Sequence, residues 1–148
     1  MNQKLYLDAC SLCRPFDDQT QLRIHLESES VLHIIELAKN GKLIWFSSEA
    51  LEFELENIDD SEKREKILAL LEYTNGIIEL DNEIINNALE FTKLGFTKLD
   101  ALHIASARSE KVDAFLTTDD KLEKIAKKNQ QKIGIKVDNP LSWIKNIL

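Results

Sequence analysis

The sequence predicts a three-layer α/β/α sandwich, an α/β fold with a central parallel sheet of about five strands. Short apolar runs alternate with longer segments of helical periodicity along the chain, as in parallel strands joined by crossover helices. The runs are apolar throughout, which is typical of strands covered on both faces of a sheet. The 148 residues are 43% hydrophobic, enough to build one core, so we expect a single domain over residues 1–148.

The predicted strands are short apolar runs next to turn or cap residues. Asn75 and Gly76, for example, form a turn signal before the third run. The predicted strands cover residues 4–8, 43–46, 77–80, 114–117 and 133–137.

The segments between these runs carry helical periodicity with start and stop signals. Ser48 is a good N-cap, Gly41 and Gly95 follow the ends of two helices, and Pro140 opens the last helix. The predicted helices cover residues 21–39, 48–58, 59–71, 82–94, 97–111, 119–128 and 140–147.

Charge and hydropathy exclude several classes of protein. With 19 basic and 26 acidic residues the net charge is −7, which argues against binding nucleic acid by overall charge, although a local patch or bound cations could still supply a positive field. The apolar runs are far shorter than the ~20 residues that cross a bilayer. The N-terminus does not resemble a signal peptide. We therefore expect a cytoplasmic protein without a membrane partner.

Four carboxylates stand at or near the ends of apolar segments: Asp8, Glu54, Asp100 and Asp119. In an open α/β sheet, ligands bind outside the carboxyl ends of the strands. Acids gathered there would repel one another unless a cation lay between them, and Mg²⁺ and Mn²⁺ prefer such oxygen ligands. The set therefore predicts a metal-dependent phosphoryl-transfer enzyme.

Taken singly, three of these acids also have structural explanations. Asp8 could form a turn, Asp100 stands three residues after Thr97 as in a capping box, and Asp119 lies in a similar box that begins at Thr117. These structural and functional interpretations both remain open for each of the three residues.

Glu54 is selected from a segment with several glutamates by its place on a helical wheel. At ~100° per residue it falls about 60° from Leu51, at the edge of the apolar stripe. Glu49, Glu52 and Glu56 fall on the solvent side. A carboxylate at the edge of a buried face has to be paired or ligated.

Four segments of the chain carry a resemblance to a known family. They are LYLD at 5–8, Ser48 followed six residues later by EL at 54–55, LDALHIA at 99–105 and FLTTD at 115–119. In this order they resemble the PIN-domain family, metal-dependent ribonucleases that include VapC-type toxins. The resemblance implies that Asp8, Glu54, Asp100 and Asp119 form a tetrad that binds Mg²⁺ or Mn²⁺, and that Thr117 supports the last acid.

The resemblance also implies an activity and partners. These are endoribonucleolytic hydrolysis of RNA phosphodiester bonds, a role as the toxin of a type II toxin–antitoxin pair with a protein antitoxin, and homodimerisation. Cys10 departs from the small polar residue usual in the family at that position, and residues 14–19 resemble a subgroup different from the well-studied toxins.

Other interpretations remain open. Arg14, Arg23 and Lys98 lie near the acidic segments and could contact RNA phosphates, although a solvated surface charge explains each more simply. A PIN fold that only binds RNA or protein is the non-enzymatic alternative, which the intact tetrad disfavours. Cys10 and Cys13 form a C-x-x-C motif after a predicted strand, the setting of a thiol–disulfide redox site.

Overall fold

Five parallel strands form the central sheet of the computed structural model, which describes residues 2–147. Their order across the sheet is β3-β2-β1-β4-β5, and each neighbouring pair is parallel. This confirms the predicted parallel sheet of about five strands. The strands are β1 (Lys4–Leu7), β2 (Ile44–Ser48), β3 (Gly76–Ile78), β4 (Ala114–Leu116) and β5 (Val137–Asp138).

Helices cover both faces of the sheet. They are α1 (Ala9–Cys13), α2 (Leu22–Lys39), α3 (Glu49–Glu56), α4 (Ser61–Leu70), α5 (Asn82–Thr92), α6 (Lys98–Ser109), α7 (Asp120–Lys128), α8 (Gln130–Ile133) and α9 (Pro140–Ile147). Helices α1–α4 contact one another, as do α5–α8, and the usual right-handed crossovers predict that the two groups cover opposite faces of the sheet. Helix α9 packs against α2 and so returns to the first face, which gives the predicted three layers. No helix within residues 2–147 is long and apolar enough to cross a membrane.

The fifth strand is shorter than predicted, since β5 holds two residues instead of the span 133–137. Ile133, Ile135 and Val137 are all buried, so the alternating apolar pattern is real. Gly134, however, has φ +76°, a left-handed backbone that caps α8 and does not continue a strand. The apolar residues before β5 are therefore buried from a helix and a loop.

The middle strand β1 lies where the strand order reverses. Leu5, Tyr6 and Leu7 are fully buried there, and Trp45 and Trp143 are also buried in the core. β2 and β3 lie on one side of β1, and β4 and β5 lie on the other. Ligands of open α/β sheets bind at the carboxyl ends of the strands that flank such a switch point. The segments after β1 and β4 therefore border the expected crevice.

Candidate active site

Asp8 follows β1 directly and begins the short helix α1 as its N-cap. Its Oδ1 accepts the backbone N–H of Ser11 at 2.9 Å, and its own N–H donates to the carbonyl of Leu116 in β4 at 3.1 Å. The side chain is only 4% exposed. Burial raises the pKa of Asp8 from 3.8 to about 6, while interactions with Thr117 and Ser11 oppose the rise. Asp8 is thus a buried carboxyl group fixed at the switch point.

Asp119 is held in a similar way at the end of β4, where it is the N-cap of α7. Its Oδ1 accepts the N–H groups of Lys121 and Leu122 at 3.0 and 3.2 Å. The predicted capping box from Thr117 is therefore wrong, because the cap is two residues further on. The buried Thr117 instead accepts the N–H of Asp119 on Oγ1 at 3.0 Å. Thr117 thus lies beneath Asp119 and beside Asp8.

Glu54 is fixed by a buried chain of side-chain hydrogen bonds. Its Oε1 lies 2.7 Å from Nε2 of His103, which is 1% exposed. Nδ1 of His103 lies 2.7 Å from the hydroxyl of Tyr6 on β1, and that hydroxyl lies 2.6 Å from Oγ of Ser48. Residues from β1, β2, α3 and α6 are thereby joined through one network.

We assign the neutral imidazole to His103, because this assignment gives every donor in the chain an acceptor. His103 Nε2–H donates to Glu54, and the Tyr6 O–H donates to Nδ1. The Ser48 O–H then donates to Tyr6, and Ser48 Oγ accepts the N–H of Leu51 at 3.0 Å. Burial also raises the pKa of Tyr6, so its hydroxyl keeps its proton. Local sequence patterns did not predict this role of His103.

The helical wheel separated Glu54 from its neighbours largely as the structure does. Leu51 is buried, Glu54 is half-buried and Glu56 is exposed. Glu49 is exposed but is not simply solvated, since its carboxylate accepts the N–H of Leu80 at 2.6 Å. Glu52 is partly buried, and burial raises its pKa.

Asp100 occupies the first turn of α6, where Thr97 Oγ1 accepts its N–H at 3.1 Å. Burial raises the pKa of Asp100, and the negative charges of Asp119 and Glu54 raise it further. A hydrogen bond from Thr97 acts in the opposite direction. Asp100 thus fits both a place in a helix cap and a role as metal ligand, since it lies at a capped helix start and also faces the other acids.

The four acids converge on one edge of the sheet. Glu54 and Asp119 line a cleft of about 420 Å³, and Asp119 shares a smaller pocket of about 70 Å³ with Asp100. Cys10 lines the larger cleft, where its thiol is affected by the negative charges of all four acids. Burial, followed by the charges of Asp8, Asp119, Glu54 and Asp100, raises the pKa of its thiol to about 12.

Comparison with known proteins shows the family to which this arrangement belongs. The family model described as PIN domain matches residues 6–128, a span that contains all four acids. The chain belongs to the PIN-domain family. The solved structure of VapBC2 from Rickettsia felis bound to a DNA fragment from their promoter contains a chain with the same fold. It matches 91% of this chain and 98% of its own length, with a TM-score of 0.57 and 16% identity. A search of the curated proteins found no match.

The donor set of this PIN domain suits a hard divalent cation in its chemistry, because its four carboxylates offer oxygen ligands. Thr118 also lines the larger cleft: it is 4% exposed, and within residues 2–147 its buried hydroxyl has no hydrogen-bond partner. As the side chains stand, no three His, Cys, Asp or Glu residues within 2–147 are grouped to hold a metal ion. Side-chain rotation of the acids would therefore have to accompany binding.

The two cysteines are poorly placed for redox chemistry in this PIN domain. Cys10 and Cys13 are both free thiols, and they lie within α1 instead of before a helix. A redox site needs an accessible thiolate, whereas burial and the surrounding carboxylates raise the pKa of both thiols.

Two of the three basic residues predicted to contact RNA are already paired with acids. Arg14 contacts Glu27 at 2.9 Å and Asp17 at 3.2 Å. Arg23 contacts the same buried Glu27 at 3.2 Å and forms a bidentate pair with Asp120. The third, Lys98, borders an apolar pocket between α5 and α6. The prediction that these residues bind RNA is still untested, and the two arginines would have to leave their present partners.

Proposed function

We propose that this PIN domain is a Mg²⁺- or Mn²⁺-dependent endoribonuclease that hydrolyses RNA phosphodiester bonds. The observation that carries the proposal is the convergence of Asp8, Glu54, Asp100 and Asp119, from four separate segments, at the switch point of the sheet. Helix starts account for three of these acids without any function, since Asp8 and Asp119 are N-caps and Asp100 lies in a capped first turn. They do not account for Glu54, which lies in the middle of α3 and is held by the buried pair of His103 and Tyr6.

The chemistry divides between the cation and the protein. A bound divalent cation would lower the pKa of a coordinated water and stabilise negative charge on the scissile phosphate. The four carboxylates would hold it. Thr117 fixes the backbone of Asp119 by accepting its N–H, and His103 holds one carboxylate oxygen of Glu54. Such supporting partners commonly matter nearly as much as the ligands they orient.

We also propose that the domain is the toxin of a type II toxin–antitoxin pair, acts as a homodimer and is neutralised by a protein antitoxin. The family match and the fold shared with a VapBC complex support this. Expression in a bacterial host should arrest growth, whereas expression of Asp8→Asn should not. Continued growth with the active wild-type enzyme would contradict the toxin role and leave the nuclease proposal intact.

The nuclease proposal is tested by cleavage of labelled single-stranded RNA with Mn²⁺, with Mg²⁺ and with EDTA. Wild type should cleave only with a metal, and Asp8→Asn and Glu54→Gln should lose cleavage. Glu56→Gln is the matched control, since Glu56 is an exposed glutamate on the same helix, and it should cleave normally. Unchanged cleavage by Asp8→Asn would exclude the mechanism. RNA binding without metal-dependent cleavage would favour the non-catalytic PIN module.

A further inference from the structure

A short segment near the carboxyl end of the chain has a charge opposite to that of the whole protein. Residues 121–136 contain six lysines and one acid, Glu123, on a chain with a net charge of −7. The lysines are all exposed. Since an acidic protein repels nucleic acid overall, a local positive surface of this kind decides where a polyanion can approach.

Four of these lysines form a continuous ridge, which we call the lysine ridge: Lys121, Lys124, Lys128 and Lys132. The first three are spaced i, i+3 and i+7 on α7, so they project from one face of the helix. Leu122 and Ala126 bury the opposite side of α7 against the core. Lys132 on α8 extends the ridge, and it borders a surface groove of about 370 Å³ together with Lys128.

The ridge begins at the candidate active site. Lys121 lines the small pocket that holds Asp100 and Asp119, and its backbone N–H donates to the Asp119 carboxylate at 3.0 Å. A polyanion lying along α7 would therefore reach the acids at the N-terminal end of that helix.

The ridge charges are also unpaired. Within residues 2–147, none of the four ridge lysines lies in a salt bridge, whereas the neighbouring Lys127 contacts Glu123 at 2.6 Å and Asp138 at 3.8 Å. Arg14 and Arg23, which also lie near the acids, are both engaged by carboxylates. In the part of the chain that the structure describes, Lys98 on α6 is another exposed lysine near the acids that lies in no salt bridge, but it stands alone, whereas the ridge on α7 and α8 holds four such charges.

We propose that the lysine ridge binds the phosphate backbone of single-stranded RNA and leads the strand to the acids. The proposal rests on the proposed ribonuclease function, since it names the surface that receives the same substrate. Contacts to phosphates alone carry no sequence information, so the ridge positions the strand and leaves any choice of sequence to other residues.

The test measures binding apart from cleavage. Fluorescence anisotropy of a labelled single-stranded RNA is followed in EDTA over a series of KCl concentrations, for wild type and for a ridge variant with lysines 121, 124, 128 and 132 changed to Gln. Each lost phosphate contact should reduce the slope of log K against log salt by ~0.7, so the ridge variant should lose a slope of about 2 to 3. The control variant changes four exposed lysines elsewhere to Gln, namely Lys42, Lys66, Lys93 and Lys145. It has the same net charge as the ridge variant but should keep the slope of wild type.

Two further arms decide the interpretation. A variant with Arg at the four ridge positions should bind RNA as wild type does, and its failure would attribute the effect to altered structure and overturn the proposal. Equal slopes in the ridge and control variants would also overturn it, as would ridge-dependent binding to polyglutamate without binding to RNA. If wild type never cleaves RNA but the ridge-dependent slope is present, the ribonuclease proposal fails and the ridge remains an RNA-binding surface.

Discussion

Two pairs of carboxylates meet at the same edge of the sheet, but they are held in different ways. Asp100 and Asp119 stand at the starts of α6 and α7, fixed by hydrogen bonds to residues two or three positions away. Glu54 is fixed by His103, 49 residues away along the chain. Asp8 also caps a helix, through the N–H of Ser11, but it is buried and its own N–H bonds to Leu116 in β4. Local hydrogen bonds alone thus place one half of the site, whereas the other half also depends on tertiary contacts.

This difference matters for stability. Acids at a helix start are compatible with folding, because the helix dipole and the free N–H groups favour negative charge there. A carboxylate buried as deeply as Asp8 opposes folding when it is charged. Asp8 therefore destabilises the fold at neutral pH, even though it also caps α1.

The largest expected effect is that Asp8→Asn stabilises the fold although it removes cleavage. The pKa of Asp8 is raised from 3.8 to about 6 on folding, so the folded protein binds more protons than the unfolded chain between these values. Its contribution to stability is then present below about pH 4 and is lost as pH rises through 6. At pH 7.5 in EDTA, Asp8→Asn should be more stable than wild type by about 2–3 kcal/mol, although it loses cleavage.

Urea unfolding of wild type and Asp8→Asn at pH 4 and pH 7.5 measures this difference. The advantage of the variant should shrink towards zero at the lower pH. Glu56→Gln serves as the control, because its carboxylate is exposed, and it should show no comparable change. A difference between wild type and Asp8→Asn that is the same at both pH values would contradict the burial argument.

The next effect concerns the support of Glu54. His103→Ala removes the donor that orients this carboxylate, so Mn²⁺ affinity should fall by roughly 10–100-fold, as is common when a supporting partner of a metal ligand is removed. His103→Gln should restore part of the affinity, because its amide N–H can donate to Glu54. His33→Ala, at an exposed position on α2, should bind Mn²⁺ as wild type does. The Mn²⁺ affinity of all three variants is measured by titration followed by electron paramagnetic resonance. An equal loss of affinity in His103→Ala and His103→Gln would contradict the orienting role of His103.

The smallest effect lies in the other half of the site. Thr97→Ala removes the hydroxyl that caps α6 at Asp100, which should cost about 1 kcal/mol of stability. Thr97→Ser should retain the cap and the stability. Because Asp100 itself remains, Mn²⁺ affinity should change less than in His103→Ala. A larger loss of affinity in Thr97→Ala than in His103→Ala would reverse the comparison between the two halves.

The contrast between local and long-range hydrogen bonds also explains which features the sequence could predict. The caps at Ser48 and Thr97, and the edge position of Glu54, follow from spacing within one helix, and the structure has them. The bonds of Tyr6 to Ser48 and His103 span 42 and 97 residues, so no local pattern contains them. Sequence offers only a faint signal, since His103 stands one helical turn after Asp100.

The lysine ridge and β5 show the same limit in other ways. The excess of lysine over residues 121–136 is visible in the sequence, but pairing across the fold, such as that of Lys127 with Asp138, decides which of these lysines stay free. The fifth strand was predicted too long because alternating burial of Ile133, Ile135 and Val137 does not require a strand. The left-handed backbone of Gly134 ends the helix before β5 and prevents a longer strand. A glycine in the sequence does not by itself predict that conformation.

The central claim is that the two halves of the site hold one divalent metal centre. Crystals soaked in MnCl₂ and measured at the manganese absorption edge test it directly, with crystals of Asp8→Asn treated in the same way. We expect an anomalous difference peak in wild type in contact with acids from both halves, with Asp8 or Glu54 on one side and Asp100 or Asp119 on the other, and no such peak in the variant. A peak away from these acids, or an equal peak in Asp8→Asn, would contradict the account.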